Sequence, residues 1–340
     1  MYDNHQNNIE EAIIMCTSVT FLSTTGDHFL ARTMDFAFEL DGRPVVIPRH
    51  QTFTNDPEDS YTTTYSFVGA GRNFGHYILV DGVNEHGLSA AALYFSGEAS
   101  YAPAPVDGKV NLAPHEVLNW LLGNNTDCAD LGSKIDTLNI FNKSNRLLKL
   151  VVPLHWIIAD KTGHTYVLEM QADGLHYLEN PVGVMTNTPD FNWHLKNLHN
   201  YTNLQPGPHP DRQFDQMPVS AYGPGSGMLG TPGDYTSVSR FVRTAFIRQY
   251  TQAESTENTV NVLSHILNSV EIPKGVKLKD DGSSDYTQYR GYMSMADSTY
   301  YMQPYQDQTI SRVRLTADLM NLKEPKEFPL HDQQQVVDLV

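Results

Sequence analysis

Two cysteines are the residues of this chain best suited to nucleophilic chemistry, and they lie in different surroundings. Cys16 stands at the head of the β-branched and aromatic run CTSVTFLST (16–24). Cys128 lies in NNTDCADL, a helix-start context in which a buried, inert thiol is the plain interpretation. Since the thiolate is the reactive form of cysteine, the charged neighbours of each thiol decide whether it can act.

A predicted hairpin places charged residues beside Cys16. The run DHFLARTMDF (27–36) continues as a second strand after a turn at Thr25–Gly26. Pairing outward from that turn puts Asp35 opposite Cys16, to within one residue of register, and Arg32 one step nearer the turn. A guanidinium lowers a thiol pKa and a carboxylate can hold a cationic partner, so this hairpin end predicts a reactive thiol. A buried cysteine beside an ordinary ion pair is the alternative that the pattern leaves open.

Metal and nucleotide sites are not predicted. No pair of the fourteen histidines has zinc-protease spacing, and none clusters with cysteine. The glycines of GPGSGMLG (223–230) match G-x-G-x-x-G, but the loop continues through Pro232 and Gly233 where a dinucleotide site needs a helix. We therefore expect neither metal nor cofactor.

The composition excludes several classes of partner. Of the 340 residues, 40% are hydrophobic and 18% are charged, which suits a globular protein with a sizeable core. A net charge of −16 argues against nucleic acid and anionic membrane surfaces. No run reaches the roughly 18 apolar residues of a spanning helix, and the start lacks the features of a secretory signal. With two cysteines there is no disulfide framework, so we predict a cytoplasmic protein.

Strand and helix signals alternate in a way that favours an α+β fold. Strand hairpins are predicted within the first hundred residues and at 151–170, and aromatic strands return at 285–315. Helical periodicity marks four segments, at 114–123, 189–201, 239–250 and 255–270. The Pro- and Gly-rich segments 205–218 and 223–234 are interpreted as loops. Antiparallel sheets covered by helices are the predicted architecture.

Four motifs together resemble the choloylglycine hydrolase family, which includes conjugated bile acid hydrolases and penicillin V acylases. They are MCTSVTFLS…GDHFLARTMDF, DGVNEHGLSAAALYF, NPVGVMTNTPDFNWHLKNL and TPGDYTSVSRFVRTAF, in the family's order. The resemblance runs from about Cys16 to the C-terminus and implies a single N-terminal nucleophile hydrolase domain over 16–340. It also implies a four-layer αββα sandwich, commonly a homotetramer, without metal or cofactor.

The resemblance carries six site residues over to this chain. The family's nucleophile is a cysteine at the mature N-terminus, and the motifs match Cys16, Arg32, Asp35, Tyr94, Asn187 and Arg240. A free α-amine has a pKa near 7.7–8.0 and can therefore serve as the base for its own thiol. In this scheme Asp35 orients the amine and Arg32 favours the thiolate. The Asn187 side chain and the Tyr94 backbone N–H bind the oxyanion, while Arg240 steadies the charges.

The residues before Cys16 conflict with such a base, because an amine in a peptide bond cannot accept a proton. We therefore expect residues 1–15 to leave, or never to be made. Met15 before a small cysteine suits removal of an initiator methionine, and Glu10-Glu11-Ala12 can be encoded by a purine-rich run resembling a ribosome-binding site. We favour a start at Met15 over an autocleaved propeptide, and predict that Cys16 becomes residue one.

Tyr94 bears on the choice of substrate. Bile acid hydrolases usually resemble GLNF at this place, whereas penicillin V acylases usually carry tyrosine. We therefore expect hydrolysis of a small N-acyl amide, with penicillin V first and conjugated bile acids as the alternative; N-acyl homoserine lactones are a further candidate. A non-catalytic relative that keeps its leader is the alternative from a different class.

Overall fold

The computed structural model describes residues 15–37, 39–54, 60–145, 149–331 and 333–340, so the predicted leader lies outside the described residues except for Met15. The strands of the first half are β1 Met15–Leu22, β2 His28–Phe36, β3 Arg43–Ile47, β4 Thr52–Phe53, β5 Tyr61–Thr62, β6 Phe67–Asn73, β7 Tyr77–Leu79, β8 Asp81–Asn84, β9 Ser89–Tyr94, β10 Val110–Leu112, β11 Leu138–Ile140 and β12 Leu154–Ala159. Those of the second half are β13 Thr165–Gln171, β14 Gly174–Glu179, β15 Val184–Met185, β16 Arg212–Phe214, β17 Met217–Val219, β18 Tyr286–Ser294, β19 Thr299–Pro304, β20 Ser311–Arg314 and β21 Lys326–Glu327.

Helices are found at all four segments with helical periodicity, and two further helices, Cys128–Lys134 and Ala317–Met320, lie outside those segments. In chain order, the helices are α1 Val117–Asn124, α2 Cys128–Lys134, α3 Phe191–Asn197, α4 Ser237–Tyr250, α5 Thr256–Asn268 and α6 Ala317–Met320. Short 3₁₀ turns precede α1 at Pro114–Glu116 and follow α3 at Leu198–Tyr201. Within the described residues, no helix is both long and apolar enough to cross a membrane.

Two antiparallel sheets carry the fold. The first has six strands in the order β15-β1-β2-β18-β19-β20. The second has nine, in the order β14-β13-β12-β9-β8-β6-β3-β21, with β7 also paired to β6. Strand β1 is buried along nearly its whole length, which explains its almost unbroken run of β-branched and apolar residues.

The two sheets face each other and helices cover their outer sides. Strands β1 and β2 contact β9, and β18 contacts β8, across the space between the sheets. Helices α4 and α5 pack on β1, β2 and β18 from outside, while α1 packs on β7, β8 and β9. The layers therefore run helix, sheet, sheet, helix, and the predicted four-layer αββα sandwich of the α+β class is confirmed.

Two apolar cores hold these layers together. One lies between the sheets and beneath α4 and α5, and includes Phe241, Leu263 and Tyr292. The other lies between the nine-stranded sheet and helices α1 and α2, and includes Trp156 and Cys128. The first core contains Cys16, so the two cysteines lie on different sides of the nine-stranded sheet.

The segment 205–218 is not wholly a loop, contrary to the sequence interpretation. Strands β16 and β17 form a short hairpin in which Phe214 pairs with Met217. Asp215 adopts the left-handed conformation (φ 52°) that a two-residue hairpin turn requires. The Pro and Gly content masked this turn, because three-residue strands carry little alternation from which to predict them.

Candidate active site

The hairpin of β1 and β2 sets the position of the Cys16 thiol. Cys16 pairs with Met34, and Asp35 pairs with Met15, so Asp35 lies one residue from the predicted pairing with Cys16, within the one-residue margin of that prediction. The turn explains the shift: Ser23 N–H donates to the Asp27 carbonyl (2.9 Å), which leaves a three-residue loop rather than the two-residue turn Thr25–Gly26. Gly26 closes that loop in the left-handed conformation (φ 91°) typical of such hairpins.

The register decides which side chains share a face with the thiol. Because side chains alternate along a strand, Cys16 shares its face with Met34 and Arg32, whereas Asp35 belongs to the opposite face. Arg32 Nη2 lies 2.6 Å from Cys16 Sγ, and both side chains are buried. Burial raises the pKa of the Cys16 thiol, and the Arg32 cation acts against that rise.

Asp35 lies on β2, the strand next to that of Cys16, and two hydroxyl groups donate hydrogen bonds to its carboxyl group. Its two oxygens accept hydrogen bonds from Thr33 Oγ1 (3.2 Å) and Thr287 Oγ1 (2.5 Å). Burial raises the pKa of Asp35 to about 6, although Arg240 and the Thr287 hydrogen bond act in the other direction. Because Asp35 pairs with Met15, it lies across from the residue that precedes Cys16.

Asn187 and Arg240 meet at the backbone of Cys16. The Cys16 N–H donates to Asn187 Oδ1 (2.8 Å), and Arg240 Nη2 donates to the same oxygen (2.7 Å). Arg240 Nη1 also donates to the Cys16 carbonyl and to Thr17 Oγ1, both at 2.6 Å. Arg240 lies in the first turn of α4, which begins after the N-cap Thr236, and it is fully buried. The first turn of α4 therefore places the Arg240 guanidinium at the N-terminal end of β1.

Tyr94 is connected to Asn187 through its backbone. Asn187 Nδ2 donates to the Tyr94 carbonyl (2.9 Å). Tyr94 pairs with Leu154 of β12, while the next N–H along, that of Phe95, donates to the Pro153 carbonyl. Since the N–H and C=O of one strand residue point to the same edge, the Tyr94 N–H is directed away from β12, to the side on which Asn187 lies.

An apolar cavity opens beside the thiol. Its empty space, including the part open to solvent, is about 1110 Å³, and Cys16 and Tyr94 both line it. Most of the remaining wall is apolar and comes from β2, β7, β9, the start of α1 and segment 150–156: Met34, Phe36, Ile78, Leu79, Leu118, Leu150, Val152, Leu154 and Trp156. The wall of such a cavity is suited to binding a large, apolar group beside the Cys16 thiol.

The structure therefore links five of the six predicted site residues in one hydrogen-bonded network: Cys16, Arg32, Tyr94, Asn187 and Arg240. The sixth, Asp35, lies in the next cross-strand pair, opposite Met15. Cys128 is separate from them: it begins α2, and its N–H donates to Asp160 Oδ2 (3.0 Å). Burial raises the pKa of the Cys128 thiol, in keeping with an unreactive group. Among the described residues, no group of three or more His, Cys, Asp and Glu side chains could hold a metal ion.

Three residues that contact the site were missed from the sequence. Ser237 Oγ accepts the Asn187 N–H (2.9 Å), and His194 Nε2 donates to the Asn187 carbonyl (2.8 Å). Asp81, from β8 of the facing sheet, forms an ion pair with Arg32 (3.2 Å). All three fall within the family-like motifs, but turn and helix signals explained them equally well, and only the fold brings them to Asn187 and Arg32.

Comparisons with known proteins agree with this geometry. The family model for linear amide C–N hydrolases of the choloylglycine hydrolase family matches residues 16–328. The conjugated bile acid hydrolase of Lactobacillus gasseri is 33% identical over 315 residues, which cover 90% of this chain and 98% of that protein. A crystal structure of a variant conjugated bile acid hydrolase from Clostridium perfringens has a TM-score of 0.90 at 28% identity and covers 96% of this chain and all of that one. Penicillin V acylase from Agrobacterium tumefaciens has a TM-score of 0.72 at 19% identity, with 92% and 90% covered, and shares the fold.

Proposed function

This chain belongs to the choloylglycine hydrolase family of linear amide C–N hydrolases, and we propose that Cys16 is its nucleophile. The family resemblance seen in the sequence is confirmed, and the chain is a hydrolase of linear amide bonds. The observation that carries the proposal is the 2.6 Å contact between Arg32 Nη2 and Cys16 Sγ at the wall of an apolar cavity. A guanidinium at that distance favours the thiolate, which is the attacking form.

The base in this scheme is the α-amine of Cys16 itself, freed when residues 1–15 are absent. With Met15 attached, the Cys16 nitrogen is a peptide N–H that donates to Asn187 Oδ1 (2.8 Å). Once free, the amine keeps that acceptor, has Asp35 beside it, and can take the thiol proton at neutral pH. Intact-mass analysis tests this step: active enzyme should begin at Cys16, and fully active enzyme that retains residues 1–15 would contradict it.

Attack of the thiolate on the substrate carbonyl forms a C–S bond and a tetrahedral oxyanion. Asn187 Nδ2, which donates to the Tyr94 carbonyl, and the Tyr94 N–H on the same strand edge supply the two donors for that oxygen. The C–N bond then breaks as the ammonium returns its proton to the leaving amine, and water hydrolyses the resulting thioester. Arg240 holds Asn187 and the Cys16 carbonyl in place throughout.

We propose conjugated bile acids as the main substrates. The support is the apolar cavity beside Cys16 and the similarity to a conjugated bile acid hydrolase that is 33% identical and covers 90% of this chain. A steroid acyl group presents a large apolar surface, which the cavity wall would remove from water. The small amine, glycine or taurine, would then leave on the solvent side of the thiol.

Penicillin V, which the sequence placed first, is the second candidate, and Tyr94 is the observation that favours it. Tyr94 is buried but lines the cavity, and an aromatic side chain at the cavity wall can stack on a phenoxyacetyl ring. Side-by-side kinetics with glycocholate, taurocholate and penicillin V at one pH test the choice. A higher kcat/KM for the bile acid conjugates is expected, and a clear preference for penicillin V would reverse the order of the two. Pocket contacts of this kind discriminate by about 1–3 kcal/mol.

We further propose a cytoplasmic homotetramer, with the hairpin β16–β17 and the loop after it as a contact surface. Six large apolar residues are exposed there, and the four most exposed are Phe214 (67%), Met217 (66%), Tyr222 (112%) and Leu229 (68%). A patch of that kind on a projecting hairpin is typical of protein–protein contacts. Light scattering on wild type and on Phe214→Ser/Met217→Ser should show a smaller assembly for the variant. An unchanged mass would exclude the hairpin as the contact.

A further inference from the structure

The Arg32 guanidinium that contacts the nucleophile is held from the opposite sheet. Arg32 Nη1 lies 3.2 Å from Asp81 Oδ2, and both side chains are completely buried. Arg32 Nε donates to the Thr33 carbonyl (3.1 Å), so one edge of the guanidinium is anchored on its own strand. Because a guanidinium is planar and rigid, fixing Nη1 and Nε also fixes Nη2, the nitrogen that faces Cys16 Sγ.

Besides Arg32, residues of two other strands hold Asp81 in place. Its Oδ2 accepts the Tyr289 hydroxyl of β18 (2.8 Å), and its Oδ1 accepts the Ala70 N–H of β6 (3.2 Å). Gly69 permits this approach, because a Cβ there would lie 1.8 Å from the Asp81 carbonyl oxygen. A carboxylate with this many donors is a stable anchor for the guanidinium.

We propose that Asp81 is a positioning residue for the nucleophile: its carboxylate orients the Arg32 guanidinium toward Cys16 and balances part of the charge that acts on the thiolate. The proposal deepens the function given above and depends on Cys16 being the nucleophile. It does not depend on the identity of the substrate. In the described part of the chain, Asp81 is the carboxylate that forms an ion pair with Arg32.

The charged groups around Cys16 and Asp81 indicate how the loss of the Asp81 charge would change the thiol pKa. Three charged groups act on the thiol: Arg32 and Arg240 favour the thiolate, and Asp35 of β2 opposes it. Asp81 is faced by Arg32, by Tyr289 from β18 and by Tyr300 from β19. Burial opposes the charged form of Arg32, but Cys16, Tyr289 and Asp81 together keep its pKa above the ordinary value. Without the Asp81 charge, the thiolate becomes the main buried anion left to Arg32.

Asp81→Asn should have two effects, one on thiolate formation and one on turnover, and a separate measurement reports each. The rate of iodoacetamide alkylation of Cys16, followed by peptide mass spectrometry from pH 5 to 9, reports thiolate formation without any substrate. The acid limb of this pH profile should move to lower pH by about one unit, since the negative charge of Asp81 no longer offsets the positive charge of Arg32. The plateau of kcat/KM should fall about 10- to 100-fold, because the guanidinium is no longer held in place.

Asp160→Asn is the matched control, because Asp160 is as buried as Asp81 and accepts backbone N–H groups, but does so at Cys128, away from the site. It should leave the acid limb where it is. In an Arg32→Gln background, Asp81→Asn should no longer move the limb, since the effect passes through Arg32. If Asp81→Asn folds poorly, Asp81→Glu keeps the charge, so its limb should stay at the wild-type pH while its plateau falls.

The proposal is overturned if the limb of Asp81→Asn stays in place or moves to higher pH, or if the shift persists without Arg32. A failure of the proposed function itself looks different: Cys16 would then show no pH-dependent reactivity above that of Cys128 in the wild-type protein.

Discussion

Replacing Asn187 by alanine tests the oxyanion arrangement most directly. The side chain accepts from the Cys16 N–H and from Arg240 Nη2, and donates to the Tyr94 carbonyl. Alanine removes the Nδ2 donor, and loss of one oxyanion donor typically costs about 2.7–4 kcal/mol of transition-state stabilisation. We therefore expect kcat to fall about 10²- to 10³-fold with a small change in KM.

The same change carries a stability cost that must be separated from the catalytic one. Alanine leaves the Tyr94 carbonyl and an Arg240 N–H buried without that partner, at about 1–3 kcal/mol each. Asn187→Asp is the companion variant, since it keeps acceptors for Cys16 and Arg240 but has no donor for the oxyanion. Both variants should lose kcat by similar factors, although they differ in the free energy of unfolding measured in urea.

Initial-rate kinetics at substrate concentrations on both sides of KM decide the matter. If only KM rises in Asn187→Ala, the side chain binds substrate in the ground state and the oxyanion reasoning is refuted. If Asn187→Asp retains full kcat, the donor at Nδ2 has no part in the transition state.

The remaining predictions concern the nucleophile, metals and acid stability. Cys16→Ser should reduce kcat by about 10³-fold or more, whereas Cys128→Ser should leave it nearly unchanged; equal losses would show that the wrong cysteine was chosen. EDTA should not change the rate, and inhibition that zinc reverses would contradict this. Burial lowers the pKa of His194 to about 4, below its unfolded value near 6.5, so its contribution to stability is present above pH 6.5 and is lost as pH falls through about 4. His194→Gln should flatten the pH dependence of unfolding in that window by up to about 3 kcal/mol, and an unchanged slope in urea unfolding would refute it.

Local pattern was enough to predict most elements but not the register at the site. The β-branched run after Cys16 and the periodicity of 239–250 correspond to β1 and α4. The position of Asp35 depended on whether the turn has two or three residues, and TTG fits both. A single residue of register moves a side chain to the other face of a sheet, so the small error at the turn became a large one at Asp35.

Contacts across the sheet interface were beyond sequence reasoning for a different reason. Arg32 and Asp81 are separated by 49 residues, and their ion pair exists because two sheets pack face to face. DGVNEHG, which holds Asp81, has the signature of a hairpin turn, and that explanation is also correct, since β8 and β9 are joined there. The family resemblance identified residues at the site itself. Asp81 also lies in one of the motifs, but it reaches Cys16 only through Arg32, from the facing sheet.

The same packing explains how a thiol can be both buried and reactive. Burial alone would keep Cys16 protonated, as it does Cys128, which contacts no guanidinium among the residues that the structure describes. What differs at Cys16 is a buried cation 2.6 Å away, and a buried cation is itself costly unless a carboxylate compensates it. Asp81 meets that requirement from the facing sheet, so the charge needed by the nucleophile is stable only in the assembled sandwich. The pH dependence of Cys16 alkylation by iodoacetamide should accordingly revert to that of an exposed thiol, with a pKa of about 8.5, when the tertiary structure is lost.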